Sequence, residues 1–336
     1  MNLETMHSIL LIDTVNNDDK DVILTIAIPT YKRKALLRET LTKVFSLKFK
    51  IKIEVIIVDN DPGDINDAVD LMNDFVGQEF LYYKNIENYG AVGNWNQCLK
   101  LAKGKLITIL HDDDFLNSNF PYEIENFIRR YNNLDDFTLI GFDSEFMDQR
   151  EIMIEEKNDL FTMCKKYFYI LKSHYKKRNE GAVSTVTIQD VVLFGNAGFT
   201  ATLGVVMNRE KALSLKGFNE SWYPIMDYEF YSRWALKYKE VFYKNTVVST
   251  YRIFENMTMR NDVLMGIREK NYKLRLHIFK QDPSLKWVPS YSYLLDKWDA
   301  YALLKNWNKE TKESAFVPIA CRCLVLLLRP ILKRFG

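Results

Sequence analysis

The chain is poor in the features that mark exported and metal-stabilised proteins. It has four cysteines in 336 residues, at positions Cys98, Cys164, Cys321 and Cys323. They form no CxxC pair and have no metal-ligand spacing, and Cys321 and Cys323 are too close in sequence for an easy disulfide. The first twenty residues also lack the basic and then apolar order of a secretion signal. We therefore expect reduced thiols and a cytoplasmic protein.

A strong charge of one sign and the commonest nucleotide-binding signatures are also absent. The 46 lysines and arginines nearly balance 44 aspartates and glutamates, which leaves a net charge of +2. This balance argues against a general electrostatic attraction to nucleic acid. Neither GxGxxG nor GxxxxGK[ST] occurs in the chain, so the dinucleotide-binding and P-loop classes lose their main support.

No apolar run is long enough to cross a membrane. The run at residues 315–328 is interrupted by Pro318 and Arg322, and it is shorter than the about 20 residues that a spanning helix needs. Arg322, Arg329 and Lys333 recur at helical spacing, which suits a helix lying in the interface of an anionic membrane. A C-terminal helix packed on the rest of the protein explains the same pattern equally well.

Strand-like and helical patterns alternate through the first half of the chain. Four apolar runs, "ILTIAI", "IEVIIV", "FLYYK" and "LITIL", are separated by segments with helical spacing. This alternation predicts an α/β fold with a mainly parallel sheet that is covered by helices on both faces. We predict an N-terminal extension at 1–21, a catalytic domain at 22–260 and a helical C-terminal region at 261–336.

Polar residues follow several of the predicted strands. Thr30, Asp59 and the run Asp112–Asp114 all stand at strand ends, where open α/β sheets bind their ligands. Adjacent carboxylates are tolerated when a divalent cation neutralises them, and oxygen ligands suit Mg²⁺ or Mn²⁺. The alternative is a solvated turn in which one aspartate caps the helix that begins near Asn119. The position at a strand end favours the metal.

Six segments in a fixed order carry a family resemblance: "AIPTYKR", "VIIVDND", "NYGAVGNWN", "LHDDDFL", "KGFNESWYPIMDYEFYSRWA" and "YRIFENMT". Together they resemble the family-2 inverting glycosyltransferases of the glycosyltransferase A fold, over roughly residues 22–260. The resemblance implies transfer of a sugar from a nucleoside diphosphate sugar, with Mn²⁺ or Mg²⁺ bound and with inversion at the anomeric carbon. Uridine as the base is implied by the resemblance alone.

The resemblance also assigns roles to individual positions. Asp113 and Asp114 fall in the metal-binding part of the family's D-x-D-D motif, and His111 replaces its first acid. His111 is either part of this site or simply a hydrogen-bonded polar residue at the strand end. Phe254 replaces a frequent histidine. The positions matched to donor contacts are Pro29, Thr30, Arg33, Asp59, Asp61, Asn88, Gly90, Asn94, Asp112 and Arg252.

Inverting transfer needs a carboxylate that takes the proton from the acceptor hydroxyl. Asp227 and Glu229 lie two residues apart, so on a helix they point in different directions and only one of them faces a substrate. The resemblance selects Asp227 as the base, while Met226 replaces a supporting glutamate of the family. The alternative is that Asp227 only caps the helix.

The acceptor is expected to be a saccharide or a lipid-linked saccharide in bacterial surface-polysaccharide assembly, on the inner face of the membrane. The basic aromatic stretch 165–178 and Gly198 and Gly204 are expected to border the acceptor cleft. Two other functions stay open. A sugar-1-phosphate nucleotidyltransferase shares a similar sheet, although no "GxGTRL"-like opening follows the first strand. A non-catalytic membrane adaptor that retains the fold is the third possibility.

Overall fold

The computed structural model describes residues 5–15, 21–63, 66–149, 180–194, 199, 202–253, 260–306, 314 and 316–335. In this part of the chain, ten strands form one sheet. They are β1 (Ser8–Asp13), β2 (Leu24–Thr30), β3 (Ile53–Asp59), β4 (Leu81–Asn85), β5 (Leu106–Ile109), β6 (Phe115–Leu116), β7 (Leu139–Asp148), β8 (Val183–Thr185), β9 (Val205–Asn208) and β10 (Phe242–Ile253).

The described residues also form ten α-helices and a short 3₁₀ helix at Glu220–Trp222. The α-helices are α1 (Lys34–Ser46), α2 (Asn66–Asp74), α3 (Gly90–Leu101), α4 (Phe120–Ile128), α5 (Ile188–Phe194), α6 (Arg209–Ser214), α7 (Met226–Tyr238), α8 (Asn261–Gln281), α9 (Val288–Asn306) and α10 (Phe316–Phe335).

The sheet has the strand order β1-β4-β3-β2-β5-β9-β7-β10-β6, and β8 pairs with β10. Strands β4, β3, β2 and β5 are parallel neighbours. Strand β9 then runs antiparallel between β5 and β7, and β10 is parallel to β7. Thr30 is in register with Asp59, so the carboxyl ends of β2 and β3 meet at one edge of the sheet.

Two apolar cores lie on the two faces of the sheet, because successive side chains of a strand point to opposite faces. In β2, Ile26 and Ile28 belong to the core that includes Leu37 and Leu41 of α1, whereas Ala27 belongs to the core on the other face. Burial on both faces explains why these strands read as unbroken apolar runs and not as alternating ones.

The predicted fold class is confirmed. The four runs singled out from the sequence are the four parallel strands, and helices separate them along the chain. The sequence also suggests that Gly104 closes the helix before "LITIL", but α3 ends at Leu101 and Gly104 does not cap it. Gly104 instead lies against β2, where its backbone N–H donates to Thr25 Oγ1 at 2.9 Å and an added Cβ would come within 2.6 Å of the Thr25 nitrogen.

The segment predicted to be an N-terminal extension contributes β1, which pairs antiparallel with β4 at the edge of the sheet. At the other end of the chain, α10 packs on α9 and α5 through Val325, Leu193 and Tyr291. Among the described residues, no helix combines the length and apolarity that crossing a bilayer requires. The boundaries at 21/22 and 260/261 remain predictions.

Candidate active site

The loop between β5 and β6 carries the run of aspartates, and each of them is held differently. Asp112 is buried, and its Oδ2 accepts a 2.7 Å hydrogen bond from Thr30 Oγ1 at the end of β2. Asp113 is partly exposed, and its Oδ2 lies 2.7 Å from Arg33 Nη1. Thr40 of α1 donates to the backbone carbonyls of Asp112 and Asp114 at 2.9 and 3.1 Å. Thr40 therefore holds the backbone of the loop, while the side chain of Asp113 stays partly exposed.

Asp114 is almost fully buried. Its Oδ1 accepts a 2.9 Å hydrogen bond from the backbone N–H of Arg252, so Asp114 does not cap α4. Asn119, the residue that precedes α4, makes no side-chain cap either. The Oδ2 of Asp114 is buried without a hydrogen-bond partner in the described structure, 3.4 Å from His111 Nδ1. The capping alternative for this aspartate was therefore wrong.

His111 is oriented by three contacts. Its Nδ1 faces Asp114, its Nε2 lies 3.1 Å from Thr202 Oγ1, and its ring stacks on Trp95 with centroids 5.2 Å apart. Burial opposes a charge on this ring, but hydrogen bonding to Asp114 and the charges of the neighbouring aspartates raise the pKa of His111. Trp95 and Thr202 escaped sequence reasoning because both come from other elements of the fold.

Ligand atoms of His111, Asp113 and Asp114 all lie within 4.8 Å of one another; we call these three residues the acid–histidine cluster. The buried Oδ2 of Asp114 tests the fit to a metal, because its recorded contact is His111 Nδ1 at 3.4 Å and a buried carboxylate oxygen is costly unless a cation approaches it. Carboxylate oxygens suit Mg²⁺ and Mn²⁺, and an imidazole nitrogen is a further ligand for a transition metal. The residues therefore fit a divalent cation.

A small, open cleft lies between the ends of β2 and β3 and the start of α1. Its lining includes the predicted donor contacts Thr30, Arg33, Asp59 and Asp61. Burial raises the pKa of Asp112 next to this cleft, and Thr30 and Arg33 partly offset that effect. Burial lowers the pKa of Arg33, but the negative charges of Asp113 and Asp112 outweigh this effect, so that the pKa is raised. Because the resemblance predicts that the nucleoside base of the donor binds here, we call this space the base cleft.

Asp59 is held by partners that the sequence did not reveal. Its Oδ2 accepts hydrogen bonds from Tyr82 Oη at 2.9 Å and from Lys84 Nζ at 3.2 Å, both on the neighbouring strand β4. Its Oδ1 accepts the backbone N–H of Asp61 at 3.0 Å, which shapes the turn after β3. The spacing of Tyr82 and Lys84 in "FLYYK" could have indicated that both side chains lie on the same face of β4, because residues two apart share one face of a strand.

Buried asparagines connect the loops after β2, β3 and β4. Asn94 donates to the Val58 carbonyl at 3.0 Å, and Asn85 donates to Asn94 and to Asn60. Asn60 donates to Asn88 at 2.7 Å. The amides of Asn94 and Asn88 therefore hold the loops together, and their contact with the donor remains a prediction. Asn60 was missed, although it stands beside Asp59 in "VIIVDND".

Gly90 begins α3 at a φ of 68°, a backbone conformation that favours glycine. Its N–H donates to Asn88 Oδ1 at 2.9 Å. Pro29 precedes Thr30 as the penultimate residue of β2. These two positions shape the ends of their elements.

Arg252 was proposed as a phosphate contact. The structure places it almost fully buried beneath the aspartate loop, where its Nη1 pairs with Glu39 and its Nε donates to the Asp113 carbonyl. Its guanidinium also lies 4.2 Å from the ring centroid of Phe115. These contacts give Arg252 a positioning role, since they hold the backbone that carries Asp113 and Asp114.

Asp227 lies in the first turn of α7 and is half-buried. Loss of hydration raises its pKa above the usual value, although backbone N–H groups and the nearby His111 partly offset this effect. Asp227 in turn contributes to a raised pKa of Tyr231, one turn further along the helix. The charge of His111 thus acts on Asp227, and the role of Asp227 as the base remains a prediction.

Glu229 is committed elsewhere, as the helical spacing predicted. Its two carboxylate oxygens accept hydrogen bonds from Arg233 at 2.6 and 2.8 Å. Arg233 also donates to the Gly217 carbonyl at 2.8 Å, which ties α7 to the preceding loop. Met226 is buried in the core. Phe254, Gly198 and the stretch 165–178 lie outside the described residues.

We expect the rate of sugar transfer to fall on acidification at a pH above the ordinary pKa of aspartate. Asp227 must be ionised to accept a proton, and its raised pKa means that it becomes protonated earlier as the pH falls. The measurement is the pH dependence of kcat. If kcat stayed constant at the pH values between the ordinary pKa of an aspartate and the raised pKa of Asp227, Asp227 would not be the base.

Comparison with known proteins agrees with this geometry. The family model described as "Glycosyl transferase family 2" matches residues 25–194, just over half of the chain. The chain belongs to glycosyl transferase family 2. The matched region contains β2–β5, the base cleft and the acid–histidine cluster, and it ends before Asp227.

Several curated relatives are named as transferases of sugars, and two of these are beta-1,3-glucosyltransferases. The chain is 28% identical over 163 residues to the GalNAc(5)-diNAcBac-PP-undecaprenol beta-1,3-glucosyltransferase of Campylobacter jejuni. This match covers 43% of this chain and 52% of the relative. It is 33% identical over 93 residues to the UDP-Glc:alpha-D-GlcNAc-diphosphoundecaprenol beta-1,3-glucosyltransferase WfaP of Escherichia coli, covering 28% and 36%. The matches thus span less than two thirds of these relatives.

Among solved structures, the family-2 chain resembles a mannosyltransferase from Pyrobaculum calidifontis in complex with GDP-Man and Mn²⁺. The TM-score is 0.54 at 14% identity, with 94% of this chain and 83% of the mannosyltransferase covered. At this identity the likeness shows the fold. It extends well beyond the residues that the family model matches.

Proposed function

We propose that this chain is an inverting, metal-dependent glycosyltransferase that moves a sugar from a nucleoside diphosphate sugar to a hydroxyl of a saccharide or lipid-linked acceptor. The observation that carries the proposal is the acid–histidine cluster, whose ligand atoms all lie within 4.8 Å of one another. The charge of its histidine also acts on Asp227, which supports a proton acceptor in the same region. One acidic group for the proton and a separate site for the departing diphosphate are what this reaction requires.

In the proposed reaction, Asp227 accepts the proton of the acceptor hydroxyl as its oxygen attacks the anomeric carbon. The bond from that carbon to the donor phosphate breaks on the opposite face, and the electron pair leaves with the diphosphate. A base that is half-buried has a raised pKa, which makes its carboxylate a better proton acceptor. Attack from the opposite face inverts the configuration in one step.

His111, Asp113 and Asp114 would hold the divalent cation. When bound, Mn²⁺ or Mg²⁺ supplies Lewis-acid stabilisation of the diphosphate charge. Arg33 lies 2.7 Å from Asp113 and is partly exposed at the mouth of the base cleft, so it orients the metal-binding carboxylate and adds positive charge there. Arg252 supports the same loop from behind.

The base cleft is the proposed site of the donor nucleoside. Asp59 at its floor is oriented by Tyr82 and Lys84 and can accept a hydrogen bond from an N–H of a base. A UDP-sugar is the proposed donor, in keeping with the printed name of the Escherichia coli relative. Asp112, Asn88 and Gly90 border the region proposed for the ribose and the donor sugar.

A lipid-linked saccharide is the proposed acceptor, since both beta-1,3-glucosyltransferase relatives are named for acceptors that carry undecaprenol. The experiment is incubation of the protein with Mn²⁺, a panel of UDP-sugars and undecaprenyl-diphosphate-linked saccharides, with detection of released UDP and of the glycosylated lipid. Release of pyrophosphate from a nucleoside triphosphate would instead indicate a nucleotidyltransferase. Donor binding without turnover on any acceptor would indicate an adaptor.

The surface of α10 supports peripheral association of the protein with a membrane. One face of this helix packs on α9 and α5, while a stripe of apolar side chains faces outward at Val317, Leu324, Leu327 and Ile331. Residues 261–336 contain 14 lysines and arginines against 7 aspartates and glutamates, and α10 itself contains no acid. We propose that both sequence alternatives hold at once: α10 packs on the protein and its outer face lies in the interface of an anionic bilayer.

Replacing Leu327 with glutamate should reduce binding to vesicles of phosphatidylcholine and phosphatidylglycerol by about tenfold or more, because one exposed leucine contributes about 1.5–3 kcal/mol when buried. Leu327 is 67% exposed, so the change should leave the fold intact. Flotation of vesicles with bound protein measures the effect. The matched control is Val76→Glu, at a more exposed valine far from α10 in sequence. Equal flotation of L327E and wild type would remove the membrane proposal.

A further inference from the structure

The imidazole of His111 is held by side chains from three separate parts of the chain. Its Nδ1 lies 3.4 Å from Asp114 Oδ2 in the same loop, and its Nε2 lies 3.1 Å from Thr202 Oγ1. One face of the ring stacks on Trp95 of α3, with planes 22° apart, and Trp95 is itself buried edge-on against Phe218. Both nitrogens and one ring face are therefore in contact with protein, which fixes the orientation of the ring.

Thr202 reaches His111 because β9 pairs antiparallel with β5. Leu106 lies opposite Asn208 in this pairing, so the residues just before β9 lie beside those just after β5. Thr202 is fully buried, and its carbonyl accepts the backbone N–H of Val205 at 3.2 Å in the turn that leads into β9. The strand pairing and this turn therefore set the position of the Thr202 hydroxyl next to the loop that carries the aspartates.

The two ring nitrogens of His111 face different kinds of partner. Nδ1 faces the carboxylate of Asp114, a member of the acid–histidine cluster, whereas Nε2 faces the neutral hydroxyl of Thr202. A neutral imidazole carries its proton on one nitrogen and offers a lone pair at the other, and a hydroxyl oxygen can accept that proton in a hydrogen bond. With the proton on Nε2 and donated to Thr202, the lone pair of Nδ1 points to the side on which Asp114 lies.

The distance between His111 Nδ1 and Asp114 Oδ2 suits two ligands of one small cation. Bonds of about 2.1 Å that meet at angles of about 90–110° separate two ligand atoms by about 3.0–3.4 Å. The distance in the structure is 3.4 Å. Asp114 is 1% exposed, and its Oδ2 has no hydrogen-bond partner within the described residues. Nδ1 and this buried oxygen therefore form a pair of atoms that one divalent cation can contact together.

We propose that Thr202 is a positioning residue that makes His111 a nitrogen ligand of the divalent cation. By accepting the Nε2 proton, its hydroxyl selects the tautomer in which Nδ1 binds the ion, as oxygen partners do for metal-bound histidines in general. An imidazole ligand favours transition metals over Mg²⁺, which takes oxygen ligands, and the preference increases from Mn²⁺ to Co²⁺. The inference rests on the proposed metal-dependent function and names the atom that binds the metal and the residue that orients it.

The first test compares the binding of Co²⁺ and Mg²⁺ to the full chain with UDP present, by calorimetric titration. Thr202→Val keeps the shape of the side chain but removes the acceptor for Nε2–H. It should weaken Co²⁺ binding by about 10–100-fold, the usual effect of losing the partner of a metal-bound histidine, while Mg²⁺ affinity stays within a few-fold of wild type. Thr202→Ser restores the hydroxyl and should restore Co²⁺ binding.

The matched control is Thr108→Val on β5. Thr108 is also fully buried, and its hydroxyl has no hydrogen-bond partner in the part of the chain that the structure describes. T108V should therefore leave both metal affinities unchanged. A change in the ratio of the Co²⁺ and Mg²⁺ affinities that occurs in T202V and not in T108V separates a role in orienting His111 from general damage to the core.

Pulsed electron paramagnetic resonance of the protein with Mn²⁺ and UDP detects the nitrogen ligand directly. Wild type should show coupling of Mn²⁺ to an imidazole nitrogen, and His111→Asp should lose this coupling while Mn²⁺ stays bound. Mn²⁺ bound without nitrogen coupling, wild-type Co²⁺ affinity in T202V, or an equal loss of Co²⁺ and Mg²⁺ affinity in T202V would each overturn the inference and leave the proposed function standing. A wild-type protein that binds UDP equally with Mn²⁺ and with EDTA would refute the metal dependence itself. Melting temperatures show that each variant is folded.

Discussion

Replacing Asp227 with asparagine is expected to lower kcat for sugar transfer by about 10²–10⁴-fold, the usual contribution of a general base. Asparagine has nearly the same shape, but its amide cannot accept the proton of the acceptor hydroxyl. Donor affinity should change little, because the base cleft and the acid–histidine cluster lie on other elements. The measurements are UDP release at saturating substrates and calorimetric titration of the UDP-sugar. Full activity in this variant would remove the base assignment.

The matched control for this experiment is Glu229→Gln on the same helix. Glu229 is buried and bound by Arg233, so its loss should reduce the melting temperature. Its side chain does not enter the proposed chemistry, and kcat of the folded protein should stay within a few-fold of wild type. If E229Q lost as much kcat as D227N, the defect would follow from damage to α7, and D227N would no longer support a proton transfer.

Replacing Asp113 with asparagine is expected to abolish the effect of Mn²⁺ on donor binding. Asp113 is the most accessible carboxylate of the acid–histidine cluster, and the change removes an anionic ligand while Arg33 remains beside the site. Removing a residue that only supports a metal ligand costs about 10–100-fold in affinity, and a ligand itself should cost at least as much. Titrations of a UDP-sugar with Mn²⁺ and with EDTA separate the two contributions.

The wild-type protein should bind the donor at least a hundredfold more weakly in EDTA, while D113N should bind it equally weakly with and without Mn²⁺. Asp74→Asn is the matched control, since this exposed aspartate pairs with Arg38 on the surface and should leave the Mn²⁺ effect intact. If D113N still gained affinity from Mn²⁺, Asp113 would not be a ligand.

Much of the fold could be predicted because its signals are local. The parallel strands β2, β3, β4 and β5 are buried on both faces, so each appears in the sequence as an unbroken apolar run. Helix α1 repeats Leu37, Leu41 and Val44 at helical spacing for the same reason. The end of each strand was marked by a polar residue, which was enough to locate the base cleft.

The partners of the candidate site could not be predicted, because they are distant in sequence. Asp114 looked like a metal ligand or a helix cap, and only its neighbour Arg252, which is 138 residues away, showed how it is anchored. Asp59 depends on Tyr82 and Lys84 across the sheet. From the sequence, His111 is either part of the metal site or a hydrogen-bonded polar residue at the strand end. The structure shows that its ligand atoms lie close to those of Asp113 and Asp114.

The sequence by itself determined the alternation of strands and helices, the family and the positions that carry acidic groups, because periodicity and motif order are properties of neighbouring residues. Tertiary structure decided which partners each group has. It showed that Arg233 binds Glu229 whereas the charge of His111 acts on Asp227, and that α10 packs one face and exposes the other. The physical reason is that burial, pairing and charge balance depend on contacts between segments, which no local pattern of residues contains.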